Sequence, residues 1–488
     1  MKNLPQLIQK LTTREINQLQ RYYATSSRKD SILKNKLFDV LLQNPDLSDI
    51  ELGKAIKKNG TPSLPMLKKR VYQDIIGVLF LNDSEKKNRS ELHQKKYQVL
   101  MLMNEAELLV TRALHHQAIL TVNKAKRIAV KYELTQELTA INEALANMSS
   151  TRRNIKHFEN VSKETMRIIN LLKDESIATD YFRKVLNLDL LEKGDSKSVI
   201  KKAQKTNDVL ANLSKKTNSS RIKMYYLRSQ IFYSHMIRDY EKGLKFALEF
   251  SDLVHTSPAM SAKNNIGGSG IYLSNIYMLR GEYEKAVKCA KDHINFFVKE
   301  SINQLQMLEI ISIGYLHCNE IKLAQEEINK GLSFKVIKRS KLFNFRFQLL
   351  QACCLFKEKK FDDALALSQT LVKHLESEPE IGVAFKIFEL QCIIELGNYD
   401  WLDYRIETFR KQLKDLKPPK NTRSKTIFKL IKTLVREGYN FNKASEKAAI
   451  ELQNLSDSKG DYFWDALDYE YIRFDTWWKS KIKKRAEY

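Results

Sequence analysis

Apolar residues near the start of the chain fall at helical spacing in short blocks. Thr12-Thr13-Arg14-Glu15 reads as a capped helix start, followed by Ile16, Leu19, Tyr22 and Tyr23. Leu33, Leu37, Phe38, Leu41 and Leu42 form a second stripe that Asn44-Pro45-Asp46 ends. Ser48 then caps a short helix through Ile56, and Asn59-Gly60 closes it. After Pro62 and Pro65 a longer helix carries Leu67, Val71, Ile75, Ile76 and Leu79. From about Glu91 to Leu213 the pattern lengthens into amphipathic helices with few breakers. There Ala106, Leu109, Ala118, Val122 and Ala125 mark close approach of two antiparallel helices, and Thr217-Asn218-Ser219-Ser220 is the clearest turn.

Beyond residue 222 the pattern repeats. Five turns are each followed by a large apolar residue that opens a helix: Arg238-Asp239-Tyr240, Gly281-Glu282-Tyr283, Asn319-Glu320-Ile321, Lys359-Lys360-Phe361 and Gly397-Asn398-Tyr399. The apolar members are 43, 38, 40 and 38 residues apart. A period in that range is the signature of stacked helical hairpins, because one hairpin cannot cover its own apolar face and needs the next one against it. With only 15 Gly and 8 Pro in 488 residues, the punctuation that an all-β chain needs is missing. The expected fold class is therefore all-α.

These residues resemble the tetratricopeptide repeat. YLSNIYMLRGEYEKAVKCA carries the match best, with Leu273, Tyr277, Gly281, Tyr283, Ala286 and Ala290 at signature positions. The resemblance implies small residues at the eighth and twentieth positions, here Ser274 and Ala286, Ser312 and Ala324, Ala352 and Ala364. Ile231 with Gly243, and Leu390 with Leu402, depart from the pattern in the outer repeats, and the period exceeds the family's thirty-four residues. The layout is similar to bacterial cytosolic proteins that set a small basic helical head before a degenerate array. It implies an α-solenoid in four parts: a head over 1–82, degenerate long hairpins over 91–221, the array over 222–409, and C-terminal helices with an aromatic cap over 410–488.

Charge sharpens this division. Of a net charge of +25, residues 1–90, 91–221 and 410–488 hold +8 each, whereas 222–409 holds +1. A basic flank is either solubilising or an electrostatic footprint for phosphate. On the second reading Lys57, Lys58, Lys68, Lys69, Arg70, Lys417, Lys420, Arg423 and Lys425 are the phosphate contacts, and a stacking platform would lie in the aromatic stretch from Asp461 to Trp478. The alternative for that stretch is a terminal helix sealing the last hairpin.

Catalytic and metal spacings are not found: there is no HExxH, P-loop, CxxC or GxSxG pattern. Ile266-Gly267-Gly268-Ser269-Gly270 reads as a flexible loop between repeats. His115-His116, His317-Cys318 and Cys353-Cys354 are adjacent on helices and point about 100° apart, unlike ligands converging on one ion. Neither a cofactor nor a metal is expected. The five cysteines lie in apolar helical patterns, no secretory signal is visible, and the longest apolar run is too short to span a bilayer, so the expectation is a cytoplasmic protein with reduced thiols.

The repeat resemblance implies a non-catalytic adaptor that takes a peptide or protein segment in a concave groove. The first helix of each hairpin would line it, with Tyr225, Arg228, His235, Asn275, Gln306, Glu309, Arg346, Lys357 and Gln391 as the groove residues.

Overall fold

The computed structural model describes residues 4–25, 29–56, 63–82, 90–151, 155–191, 196–372, 379–413 and 422–482. Among these the regular elements are helices alone. They fall into two compact units, one made of residues 1–130 with 144–154 and the other of 131–143 with 155–488.

The first unit begins with α1 (Leu4–Ile8), α2 (Thr13–Ala24), α3 (Lys29–Gln43), α4 (Asp49–Ile56) and α5 (Leu64–Asn82). The capping box is present: Glu15 N–H donates to Thr12 Oγ1 at 3.4 Å, and Thr12 N–H donates to Glu15 Oε2 at 2.7 Å. Ser48 and Glu51 repeat this arrangement at the start of α4. Leu19, Leu37, Phe38, Leu41, Leu52, Leu67, Val71 and Ile75 close into one core, so the apolar stripes read from sequence meet in a small bundle. Next come α6 (Glu91–Thr111) and α7 (His115–Lys131), in which Ala106, Ala118, Val122 and Ala125 are buried, and then α8 (Thr135–Thr151).

The second unit continues through α9 (Ile155–Leu191) and α10 (Ser196–Lys216). The array follows as α11 (Ser220–Met236), α12 (Tyr240–Thr256), α13 (Lys263–Leu279), α14 (Tyr283–His293), α15 (Ile302–His317), α16 (Ile321–Ser333), α17 (Lys341–Lys357), α18 (Phe361–Val372), α19 (Pro379–Leu396) and α20 (Tyr399–Gln412). Each helix from α11 to α20 packs on the next in chain order, as stacked tetratricopeptide-like hairpins do. First helices of neighbouring hairpins also touch, α13 on α15 and α15 on α17, while α14 and α16 make no comparable contact. α13, α15 and α17 therefore form the inner layer of the array.

The turn that sets the repeat has one physical design. Arg238, Gly281, Asn319, Lys359 and Gly397 all adopt left-handed φ between 62° and 75°. The next residue donates its N–H five residues back, as in Asp239 to Ser234 O at 2.9 Å and Glu282 to Tyr277 O at 2.9 Å. This Schellman closure satisfies carbonyls at the end of the first helix, and the large apolar residue then opens the second helix against it. The small pairs Ser274/Ala286, Ser312/Ala324 and Ala352/Ala364 are all fully buried. A sixth hairpin follows, α21 (Thr422–Arg436) and α22 (Phe441–Lys447), with its own left-handed turn at Gly438-Tyr439. It continues into α23 (Ala449–Asp457), separated from α22 by a break at Ala448, and the described chain ends on α24 (Phe474–Lys481).

The glycine cluster is a correction. Residues 266–270 lie inside α13 rather than in a loop between repeats. The glycines serve close packing: a Cβ on Gly267 would stand 2.7 Å from the Phe297 ring, and one on Gly270 would stand 2.3 Å from the His293 side chain. At Gly268 nothing lies within 4 Å of a Cβ. Gly270→Ala should therefore lower stability by about 1–3 kcal/mol through overpacking. Gly268→Ala should raise it by roughly 0.5–1 kcal/mol through helix propensity. Urea denaturation of the two single variants checks both signs.

Candidate peptide-binding face

Between α23 and α24 the chain is not helical apart from one 3₁₀ turn, Gly460–Tyr462. Ser458, in left-handed conformation, ends α23 and sends the chain onto the inner layer of the array. Phe463–Arg473 then runs as a strap, and its contacts shift from the first hairpin toward the fifth. The Gly460 carbonyl accepts from the Arg238 guanidinium, which also sits over the Phe463 ring at 4.3 Å. Asp465 pairs with His235 at 3.4 Å. Trp464 stands edge-on to His317, with ring centroids 5.5 Å apart, and His317 stacks on Tyr283 at 4.7 Å. Arg346 donates to the Leu467 carbonyl at 2.9 Å and covers the Tyr469 ring at 5.1 Å. Tyr471 O–H donates to Glu309 at 3.4 Å, and Gln391 donates to the Ile472 carbonyl at 3.5 Å.

Four of the nine groove residues read from sequence thus converge on one strap: His235, Glu309, Arg346 and Gln391. Glu309 is buried and ion-paired with Arg346. Burial pushes its carboxyl pKa up, against the pull of Arg346 and Tyr471. Tyr225 and Arg228 go elsewhere. Tyr225 stacks on Phe182 of α9 at 5.1 Å, and Arg228 lies over the same ring and donates to Tyr272 O–H at 3.1 Å. These two residues join α11 to its neighbours. Asn275 and Gln306 are half-buried on α13 and α15, and Lys357 is exposed at the end of α17. Arg238, His317 and Phe345 also touch the strap, yet sequence offered the first two only as a turn residue and a helix histidine and did not single out the third.

The strap is fastened at its far end by Arg423. Its guanidinium donates to both Glu470 oxygens at 2.7 Å, to Asp475 at 3.0 Å, and to the carbonyls of Tyr462 and Leu455 at 3.0 and 3.3 Å. Glu470 in turn accepts from Phe474 N–H at 2.9 Å, which caps α24. Phe474 and Trp478 are fully buried and Trp477 nearly so; Trp477 and Trp478 donate from their indoles to Glu395 and Ser445.

At Arg423 the structure departs from the phosphate-contact reading, and at Lys68 and Arg70 it shows internal pairs. Arg423 is buried under its own carboxylates, Lys68 is paired with Asp49 at 2.5 Å, and Arg70 with Asp30 at 2.7 Å. Internal pairs fix these cations because each carboxylate stands within hydrogen-bond reach, a partner that a count of charges along the chain does not reveal. Lys69 and Lys425 are exposed, whereas Lys57, Lys58, Lys417 and Lys420 lie outside the described residues. Of the terminal aromatics, Tyr471, Phe474, Trp477 and Trp478 are core, whereas Tyr462, Phe463, Trp464 and Tyr469 are half-buried. Only Phe474–Lys481 of the expected terminal helix is helical. Among the described residues no cluster of three or more His, Cys, Asp or Glu could hold a metal ion, and no helix is long and apolar enough to cross a membrane.

No family model matches the chain, and none of the curated proteins compared with it does. Solved structures do resemble it loosely. A signal-transduction ATPase with a tetratricopeptide-repeat sensor from Pyrococcus horikoshii is 15% identical, over 83% of this chain and 63% of that one, with a TM-score of 0.42. The chain therefore spans less than two thirds of that protein. Aspartyl phosphate phosphatase F from Bacillus subtilis is 12% identical over 84% and 94% of the two chains, at 0.33. The anaphase-promoting complex assembly Cut9-Hcn1 is 12% identical over 97% and 99%, at 0.34. At such scores the likeness carries no argument, and the packing described above stands without it.

Two outcomes follow from the anchor and the strap. Arg423→Gln leaves Glu470 and Asp475 buried without their cation and should cost about 3–5 kcal/mol in a urea titration. His317 has its pKa lowered to about 4 by burial, with Lys357 and Arg473 adding to the effect. Its neutral form is the one the fold holds, so its contribution is whole above about pH 6.5, the ordinary histidine value. Between there and pH 4 the unfolded chain binds a proton that the folded chain refuses, and stability falls as pH falls, by up to about 3 kcal/mol. His317→Phe should flatten that acid limb in denaturation midpoints measured from pH 7 to 4.

Proposed function

We propose that this chain is a non-catalytic interaction scaffold whose inner helical layer takes an extended peptide or protein segment. The observation that carries the reading is the strap. Two donors on first helices, Arg346 and Gln391, reach main-chain carbonyls of a non-helical stretch and Arg238 reaches the 3₁₀ turn that leads into it, while aromatic side chains of that stretch sit against rings and guanidinium planes. Side-chain donors on backbone carbonyls supply affinity for an extended chain in general, and pockets for alternate side chains supply selectivity. The charged groups of this face are paired with one another, Glu309 with Arg346 and Arg423 with Glu470 and Asp475, which suits holding a ligand in place better than moving protons.

Panning a random-peptide display library against the full chain tests the reading. Recovered peptides should lose about tenfold or more in affinity when Asn275, Gln306 and Lys357 are replaced together by Ala, a change that leaves the strap contacts intact. Peptides that bind this variant as well as the parent would place the interaction on another surface.

A further inference from the structure

We infer that the strap is a tethered stand-in for the scaffold's ligand, and that the ligand is an extended segment of acidic and aromatic residues which displaces it. The inference deepens the scaffold reading and rests on it.

Charge provides the first argument. Residues 460–475 carry Asp461, Asp465, Asp468, Glu470 and Asp475 against the single Arg473, an acidic island in a chain of net charge +25. Asp465 meets His235 of the array, the guanidinium groups of Arg238 and Arg346 lie along the same segment on its carbonyls and rings, and Arg423 holds Glu470 and Asp475. Complementary charge of this kind selects partners and sets register.

The aromatic positions provide the second. Phe463 sits between the Arg238 guanidinium and Tyr240, whose ring is 6.2 Å away. Trp464 meets His317, and Tyr469 lies between Arg346 and Phe345. The face therefore reads two adjacent aromatics, a carboxylate directly after them, and another aromatic four residues beyond that carboxylate. A planar cation over a ring is worth roughly 0.5–2 kcal/mol, and it distinguishes an aromatic from an aliphatic side chain.

The third argument is the division of the segment into a fixed and a liftable part. Glu470–Asp475 is locked by Arg423 and by the buried rings of α24. Phe463–Tyr469 has only local turns in its backbone, and Phe463, Trp464 and Asp465 are half-buried. Short irregular segments with exposed backbone open at lower free energy than the helices they cover. The strap can rise between its two tied ends while the hairpins stay packed, which leaves the inner face open to a segment of the same chemistry.

The experiment uses the full chain and a labelled synthetic peptide of residues 459–472, read by fluorescence anisotropy. In the strap variant Phe463→Ser/Trp464→Ser the tethered competitor is weakened, and the peptide should bind about tenfold or more tightly than it binds the parent chain. Adding His235→Ala/Arg238→Gly to the strap variant removes the same contacts from the opposite side, and binding should then fall about tenfold or more below that of the strap variant. Glycine at 238 accepts the left-handed turn, so the hairpin is kept. A scrambled peptide and one with its carboxylates replaced by lysine should not bind. Equal binding to parent and strap variant, or no binding to either, overturns the inference. If display panning still recovers inner-face binders of other chemistry, the scaffold stands and only the ligand assignment falls. Should the strap variant not fold, the parent alone decides: a saturating peptide whose own tryptophan is replaced by Phe must shift the tryptophan emission of the parent chain to the red as Trp464 leaves His317, and an unchanged spectrum counts against displacement.

Discussion

A two-helix hairpin has more apolar surface than its own two helices can cover, and the second unit is organised around that deficit. Each hairpin from α11 to α20 lies on its successor, and the core runs without a break from Met278 to Trp478. Growth of this kind is one-dimensional and leaves two surfaces unresolved, the inner layer and the exposed face of the last hairpin. The C-terminal segment answers both. α24 covers the end with Phe474 and Trp478, and the strap before it covers the inner layer.

The link between these two tasks is electrostatic. Arg423 belongs to the last hairpin, yet apart from one to the Leu455 carbonyl of α23 its described bonds go to the segment that closes the array, including the carboxylate that caps α24. A buried guanidinium is tolerable only when its donors are met, and here two carboxylates and two carbonyls meet them. The same side chain therefore fastens the cap and fixes one end of the strap. What remains of the strap is held by ring, guanidinium and hydrogen-bond contacts on a half-exposed path, without a buried carboxylate–guanidinium pair of its own.

Local signals made much of the architecture legible. The five turns lie where the left-handed residues are found, and Tyr240, Tyr283, Ile321, Phe361 and Tyr399 are the first residues of their helices. The small pairs are buried as the resemblance implied. The capping box at Thr12 and the cap at Ser48 could be read because both partners lie within four residues. Of the candidate face, His235, Glu309, Arg346 and Gln391 were legible as first-helix residues, while Tyr225 and Arg228 turned to α9 because Phe182 offered them a ring. The glycine cluster misled for a related reason: consecutive glycines weaken a helix in isolation, and only the rings of Phe297 and His293, about thirty residues away, require their lack of a side chain.

The amino-acid order alone thus determined the helices, their turns and the succession of hairpins, since each depends on residues at most about forty positions apart. Which carboxylate neutralises Arg423, what lies on the inner layer, and which aromatics are core were decided only in three dimensions. Glu309 and Tyr471 are 162 residues apart and Arg238 and Gly460 are 222 apart. No periodicity encodes such pairs, because they arise from the path by which the end of the chain returns across hairpins laid down long before it.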